Sequence, residues 1–230
     1  MVVMRGLTKY IDLLPKCGLF SGIPETELVP VLELFRARQK HFAKNEYILH
    51  IGDMFRYAGI VLEGTIEGSF QNDNADKINI RHFRVGELFG EALACLEEME
   101  SPIQLHAVTE CEVLFLDLRS VCQRDSAVKE EYFRPLSVNL IQILAKQNLF
   151  QNQRIRVLGQ KKLREQILHF IASLPRKEDD SAELPFTLTT IAEYLGVNRS
   201  SLSREIGQMM DDGIISMEGR RIRILSWSEA

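Results

Sequence analysis

The chain has 230 residues, 45% of them hydrophobic and 26% charged, with a formal net charge of −4. That length is enough for two domains with separate cores, and no apolar run approaches the roughly 20 residues that a membrane-spanning helix needs. The first residues lack the charged-then-apolar pattern of a secretory leader, so a cytoplasmic location without membrane partners is expected. Residues 153–230 hold 12 Lys and Arg against 11 Asp and Glu, and the rest 16 against 21. The acidity is therefore N-terminal, and a local basic footprint near the C-terminus remains permissible. Four cysteines, Cys17, Cys95, Cys111 and Cys122, are scattered without a C-x-x-C pair. In a cytosolic chain this pattern predicts reduced core thiols rather than disulfides or metal ligands.

Pro24 to Phe35 reads as a short amphipathic helix with proline at its first turn. From about Leu19 to Leu118 the dominant pattern is short strand-like runs, among them Tyr47–His50, Tyr57–Leu62, Thr65–Phe70, Ile78–Phe83 and Val113–Leu116. Gly52-Asp53, Glu63-Gly64, Asn72-Asp73-Asn74 and Val85-Gly86 punctuate them, which predicts a sandwich or barrel-like roll. From about Ser126 to Val157 the pattern becomes helical. Leu136, Leu140, Ile143, Gln147, Phe150, Arg154 and Val157 follow steps of four and three, with the continuous stripe beginning at Pro135. A core helix is one reading of such a stripe. Polar Gln147 and Arg154 favour a helix shared between two subunits, because a buried monomer helix has difficulty satisfying them.

Gly159 is a candidate hinge. Lys161 to Leu174 predicts another amphipathic helix, and Pro175 to Ser181 a charged surface loop. Thr187 or Thr189 can cap the next helix, whose inward residues are Ile191, Ala192 and Leu195. Gly196 suits a tight interhelical turn. Asn198 can cap a second helix with Leu202, Ile206 and Met209 inward, leaving Arg199, Ser200, Ser203 and Arg204 facing out. Ile214, Ile215 and Met217 then pair with Ile222, Ile224 and Leu225 across a Glu218-Gly219 turn, with Arg220, Arg221 and Arg223 near the tip. The bland alternative is a helical hairpin with a solvated polar face. The order of glycine turn, capped helix with early arginines, and basic hairpin favours a winged helix-turn-helix that reads base edges in a major groove.

Three motifs, LLPKCGLFSGIPETEL, VGELFGEALACLEEMESPIQLHAVTECEVLFL and the winged helix-turn-helix, carry a resemblance that spans Leu14 to Leu225. In this order they resemble the cyclic-AMP receptor protein and fumarate-nitrate regulator family of bacterial transcription factors. The resemblance implies an α+β chain: a β-roll of the cyclic-nucleotide-binding, jelly-roll type over residues 1–125, a dimerisation helix over 126–157, and a DNA-binding winged helix-turn-helix over 158–230. It implies double-stranded DNA, a second copy of the chain and RNA polymerase as partners, with a small-molecule effector. Effector binding would reorient the DNA-reading domains over a palindrome. Arg199, Ser200, Ser203, Arg204, Arg220 and Arg221 become the DNA-binding candidates. Ser200 stands where the family commonly has glutamate, so a different half-site is expected.

The same resemblance implies an effector site at Glu87, Leu88, Phe89, Ser101, Pro102, Gln147 and Asn148, and a dimer interface at Leu136, Leu140, Ile143, Gln147 and Phe150. Relatives that bind cyclic AMP hold its phosphate with an adjacent Arg-Ser pair, where this chain has Ser101-Pro102. Without the guanidinium and the proline N–H, cyclic AMP is not the expected effector. Two alternatives within the fold remain, a haem-responsive regulator through His82 or His106 and a redox-responsive one through Cys95, Cys111 or Cys122, although an inert thiol is the expectation for each cysteine. A cupin-like enzyme is disfavoured, because His41, His50, His82 and His106 are separated in sequence and form no HxH motif. No catalytic or metal-binding residue is assigned, no cofactor is specified, and the chain is not expected to be an enzyme.

Overall fold

A computed structural model describes residues 8–71, 77–96, 99–122, 130–185 and 187–227. The Asn72-Asp73-Asn74 turn lies outside the described residues, as do 126–129 at the start of the expected long helix. Two compact units divide the chain, Met1–Lys146 and Gln147–Ala230. Among the described residues, no helix is long and apolar enough to cross a membrane.

The first unit opens with three short 3-10 turns that bury Leu14, Leu19 and Phe20. Helix α1, Glu25–Leu34, begins after Pro24, and its first-turn Glu25 and Glu27 lie at the positive end of the helix dipole. Leu28, Val31 and Leu32 form its buried stripe. Eight strands follow: β1 Arg38–Phe42, β2 Tyr47–Leu49, β3 Ala58–Glu63, β4 Thr65–Gln71, β5 Lys77–Arg84, β6 Leu88–Phe89, β7 Gln104–Ala107 and β8 Cys111–Leu116. They make two antiparallel four-stranded sheets, ordered β1-β8-β3-β6 and β2-β7-β4-β5. This is the roll that the short, regularly punctuated strands predict.

The first sheet is covered on both faces, which explains its unbroken apolar run Ala58–Leu62. Ile60, Leu62, Leu88, Leu114 and Leu116 face a core shared with the N-terminal turns and α1. Val61, Phe89, Cys111 and Val113 face the other sheet, meeting Ile66, Leu105 and Ala107. Gly59 is required here by close approach, because a Cβ at that position would come within 2.1 Å of the Phe89 ring. The second sheet has only one face in this core, so its strands alternate apolar and polar residues.

Short helices α2, Glu91–Cys95, and α3, Arg119–Cys122, flank strands β7 and β8 in sequence. Helix α4 then runs from Glu130 to Leu158 without stopping at Pro135. The helix expected from about Ser126 to Val157 is thus present over the described residues, and Pro135 does not interrupt it. Proline removes one helical hydrogen bond and crowds the preceding turn, but anchors on both sides outweigh that cost. Tyr132 donates its hydroxyl proton to the Glu27 carboxylate, and Leu136 is completely buried.

Residues of the expected dimer stripe also have partners within their own chain. Leu136 and Leu140 are 0% and 6% exposed and belong to the chain's own first core, with Ile143 packed partly against it. Val157 is likewise buried, in the core of the second unit. Arg154, taken as hard to satisfy within one chain, donates to the carbonyls of Tyr194 and Glu193 at 3.0 and 3.4 Å. Its guanidinium lies 5.6 Å from the Tyr194 ring centroid, and Phe150 packs edge-on against the same ring. Within its own chain the stripe is buried at Leu136, Leu140 and Val157, half-buried at Ile143, Gln147 and Arg154, and exposed at Phe150.

In the second unit, helix α5, Leu163–Ala172, is shorter than the predicted span and buries Ile167, Leu168, Phe170 and Ile171. Strand β9, Ala182–Glu183, is followed by helices α6, Leu188–Leu195, and α7, Arg199–Asp211, and by strands β10, Ile215–Glu218, and β11, Arg221–Ile224. The three strands form one antiparallel sheet ordered β10-β11-β9. Sequence reading supplied the hairpin but missed β9, which is two residues long and has little pattern of its own.

Candidate nucleic-acid interface

Helices α6 and α7 meet as their sequence dictates. The Thr187 hydroxyl accepts the Thr190 N–H and caps α6. Gly196 ends it at φ +69°, a left-handed conformation that a side chain would strain. The Asn198 side chain accepts the Ser201 N–H at 2.8 Å and caps α7. Leu202, Ile206 and Met209 are buried in a core with α5, α6 and the small sheet. That burial turns Arg199, Ser200, Ser203 and Arg204 outward, and all four are exposed. The Ser200 hydroxyl donates to the Asn198 cap at 2.8 Å. Arg199 and Arg204 make no ion pair among the described residues, so both guanidiniums are available to an incoming anion.

Arg164, on α5, was not singled out by sequence reading. Its Nε donates to Glu205 and its Nη1 to Asp212, each at 2.7 Å. The Glu205 bond, then that to Asp212, raises its pKa further. This fork ties α7 to α5 and neutralises two carboxylates on or just beyond the helix that carries the outward arginines.

The wing differs in detail from its expected form. Met217 pairs with Ile222 and Glu218 with Arg221, so the turn residues are Gly219 and Arg220 rather than Glu218 and Gly219. Arg220 donates to the Leu184 carbonyl through Nε at 3.0 Å and Nη2 at 2.6 Å. Arg221 donates to the Ser181 hydroxyl at 3.1 Å. One oxygen of Asp179 receives both Arg221, at 3.3 Å, and Arg223, at 3.2 Å. The segment from Pro175 to Ser181 therefore does more than connect. Its Asp179 carboxylate organises the wing arginines, and Ser181, at 1% exposure, is buried beneath them. Its signal in sequence was only a charged loop, because the wing lies about 40 residues further along.

The residues assigned to an effector are engaged in other ways. Glu87 accepts the Arg84 N–H at 2.9 Å and Arg81 Nη2 at 3.3 Å. Leu88 and Phe89 are core residues on opposite faces of β6. The buried Ser101 hydroxyl donates to the Ile103 carbonyl at 2.6 Å and closes a local turn around Pro102. Gln147 and Asn148 belong to the second compact unit, and Asn148 accepts a hydrogen bond from Asn152 at 2.9 Å.

His41, His50, His82 and His106, separated in sequence, are not isolated in space. Tyr47, His106, Glu67 and His82 stand directly opposite one another across strands β2, β7, β4 and β5. Glu67 reaches His82 Nε2 at 3.4 Å and His106 Nδ1 at 3.7 Å, and the Tyr47 ring stacks on His50. Ile66, Phe83, Leu105 and Ala107 occupy the inner core, so strand alternation sends this row to the outer face of the roll. His41 pairs separately with Glu112 at 3.0 Å. Among the described residues, no group of three or more His, Cys, Asp or Glu is arranged to hold a metal ion.

Residues 39–124 match the cyclic nucleotide-binding domain, and residues 165–229 match the Crp-like helix-turn-helix domain. The chain is similar to the Global nitrogen regulator of Synechocystis sp., at 22% identity over 91% of this chain and 91% of that protein. It is also similar to the Fumarate and nitrate reduction regulatory protein of Yersinia pestis, at 24% identity over 81% and 74%. The structure of FixK2 from Bradyrhizobium japonicum has the same fold, with a TM-score of 0.52 and 19% identity over 84% of this chain and 99% of that one.

The Asp179 anchor has a titration signature. The Ser181 hydroxyl and amide, with smaller contributions from Arg221 and Arg223, hold its carboxyl below the usual range, at about 2. A depressed carboxylate stabilises the folded state while ionised, and that contribution is lost as pH falls through the folded value. Carboxyl NMR should show an Asp179 midpoint near 2, and Ser181→Ala should move it up toward the ordinary carboxylate value. A midpoint left unmoved by that substitution would remove Ser181 as the main cause.

Proposed function

The chain is a DNA-binding transcription regulator of the cyclic-AMP receptor protein and fumarate-nitrate regulator family, and we propose that it acts as a homodimer on palindromic double-stranded DNA. In this proposal residues 1–125 are the sensor, 126–157 the dimerising segment and 158–230 the DNA reader. The observation that carries the DNA-reading assignment is the division of α7, with Leu202, Ile206 and Met209 buried and Arg199, Ser200, Ser203 and Arg204 exposed on its other side. An exposed helix flank with two unpaired guanidiniums suits base edges and phosphates of a major groove. Arg220 and Arg221, held by Leu184 and Asp179, suit backbone contacts from a preformed wing. Family membership supports RNA polymerase as a further partner.

A different stripe of α4 supports the dimer. Val138, Ile141, Ala145, Asn148, Asn152 and Ile155 follow steps of three and four, and every one of them is exposed. Ile141 and Ile155 are 65% and 68% exposed, which is costly for large apolar residues without a cover. Two copies related by a two-fold axis would cover them, and asparagines within such a seam fix its register. Half-sites about one helical turn apart then match the two readers.

The effector proposed is a small molecule other than cyclic AMP. Support comes from Pro102, which offers no N–H, from the local engagement of the Ser101 hydroxyl, and from the missing arginine beside them. A cyclic phosphate would lack its charge-assisted contacts there.

Arg204→Ala should weaken binding to a selected palindrome by about 1–3 kcal/mol and relax preference at one base pair, if its guanidinium reads guanine. Gel-shift titration measures this, and equal affinity would remove Arg204 from the interface. Ile141→Glu should convert dimers to monomers in light scattering while leaving the circular dichroism spectrum intact, and a persistent dimer would rule out this face. Calorimetry with cyclic AMP at micromolar concentration should register no heat of binding. Saturable binding would mean that another cation meets the phosphate.

A further inference from the structure

Helices α2 and α3 both end in cysteine, and the fold brings these two ends together. The sulfurs of Cys95 and Cys122 lie 3.1 Å apart and share one S–H hydrogen bond, although 27 positions separate them in the chain. Cys122 is exposed and Cys95 partly so. This corrects the expectation that all four cysteines are core residues. Cys17 and Cys111 do fit it: both are buried, Cys17 is pushed up to about 11 by burial, and Cys111 donates to backbone carbonyls of Thr65 and Thr109.

We propose that Cys95 and Cys122 form an oxidisable dithiol site, whose substrate is a hydroperoxide and whose product is an intramolecular disulfide. Cys122 is the attacking sulfur, because it is the more exposed of the two. The hydrogen-bonded contact with Cys95 lowers the Cys122 pKa, against the opposing effects of burial and Asp117, and the same contact with burial raises that of Cys95. Cys122 thus supplies the thiolate, which is the reactive form, and Cys95 keeps its proton.

In the first step the Cys122 thiolate attacks one oxygen of the hydroperoxide and the O–O bond breaks. The sulfur is oxidised to a sulfenic acid, and the other oxygen leaves as an alkoxide, or as hydroxide from hydrogen peroxide, and takes up a proton. In the second step Cys95 loses its proton and attacks the Cys122 sulfur. The S–O bond breaks, the S–S bond forms, and the hydroxyl leaves as water with that proton. Two thiols give up two electrons in all, and the peroxide accepts them. The sulfurs need to approach by only about 1 Å to reach bonding distance, within the reach of side-chain rotation. The resulting bond ties the end of α2 to the end of α3.

Both cysteines belong to the first compact unit and the DNA-reading helix to the second, so the test needs no operator. The full-length reduced chain is treated with equimolar hydrogen peroxide, alkylated under denaturing conditions, digested without reductant and analysed by mass spectrometry. The expected result is a Cys95–Cys122 linked peptide, with Cys17 and Cys111 still alkylated and all four thiols recovered after dithiothreitol. In Cys95→Ser, dimedone should trap Cys122 as its sulfenic acid. In Cys122→Ser, peroxide consumption should fall at least tenfold toward that of a free thiol. Linkage through other cysteines, linkage only between two chains, or a Cys122 oxidation rate no higher than in the urea-unfolded chain would each overturn the proposal.

Discussion

Burial of one side of helix α7 is the constraint on which the C-terminal unit depends. Leu202, Ile206 and Met209 lie at helical spacing and are buried in one core with α5, α6 and the small sheet. Each large apolar side chain so buried contributes about 1.5–3 kcal/mol. The Asn198 cap adds about 1 kcal/mol. The Arg164 fork, about a quarter exposed on the arginine side and more so at Asp212, contributes less than its two short hydrogen bonds suggest, because water screens it. Apolar burial therefore sets the rotation of the helix about its axis. The caps and the fork fix where it starts and how it lies against α5. The outward position of Arg199 and Arg204 follows from that rotation, not from any contact of their own.

The wing depends on charge in a way the recognition helix does not. Three arginines crowded near one turn repel one another, and the chain supplies an acceptor for each of them. Arg220 takes a backbone carbonyl, while Arg221 and Arg223 share Asp179. Sharing one carboxylate between two guanidiniums holds both side chains in a geometry that is already set. The entropy of ordering long side chains is thereby met before any anion arrives.

In the N-terminal unit the organising rule is strand alternation. The sheet covered on both faces has continuous apolar strands, and the other sheet divides its residues between the core and the outer face. That division places Glu67 among imidazoles on the outer face, where it is itself buried, and Ile66 and Leu105 within. It also explains why residues that look like site candidates in sequence, such as Leu88 and Phe89, serve the packing of two different cores.

Sequence alone determined the features whose cause is local. The caps at Thr187 and Asn198, the turn at Gly196, the stripe on α7 and the strand-rich roll are all decided by neighbours within a few positions, so periodicity and turn chemistry revealed them. The long helix was legible as a helix, but its faces were not. Two stripes on α4 have heptad-like spacing, and only the packed structure decided that Leu136, Leu140 and Val157 face inward while Ile141 and Ile155 face out. The Cys95–Cys122 pair, the Glu67 row and the Asp179 anchor each join residues from about 15 to more than 40 positions apart in the chain. Such contacts are set by how strands pair and helices dock, and one-dimensional spacing carries no trace of them.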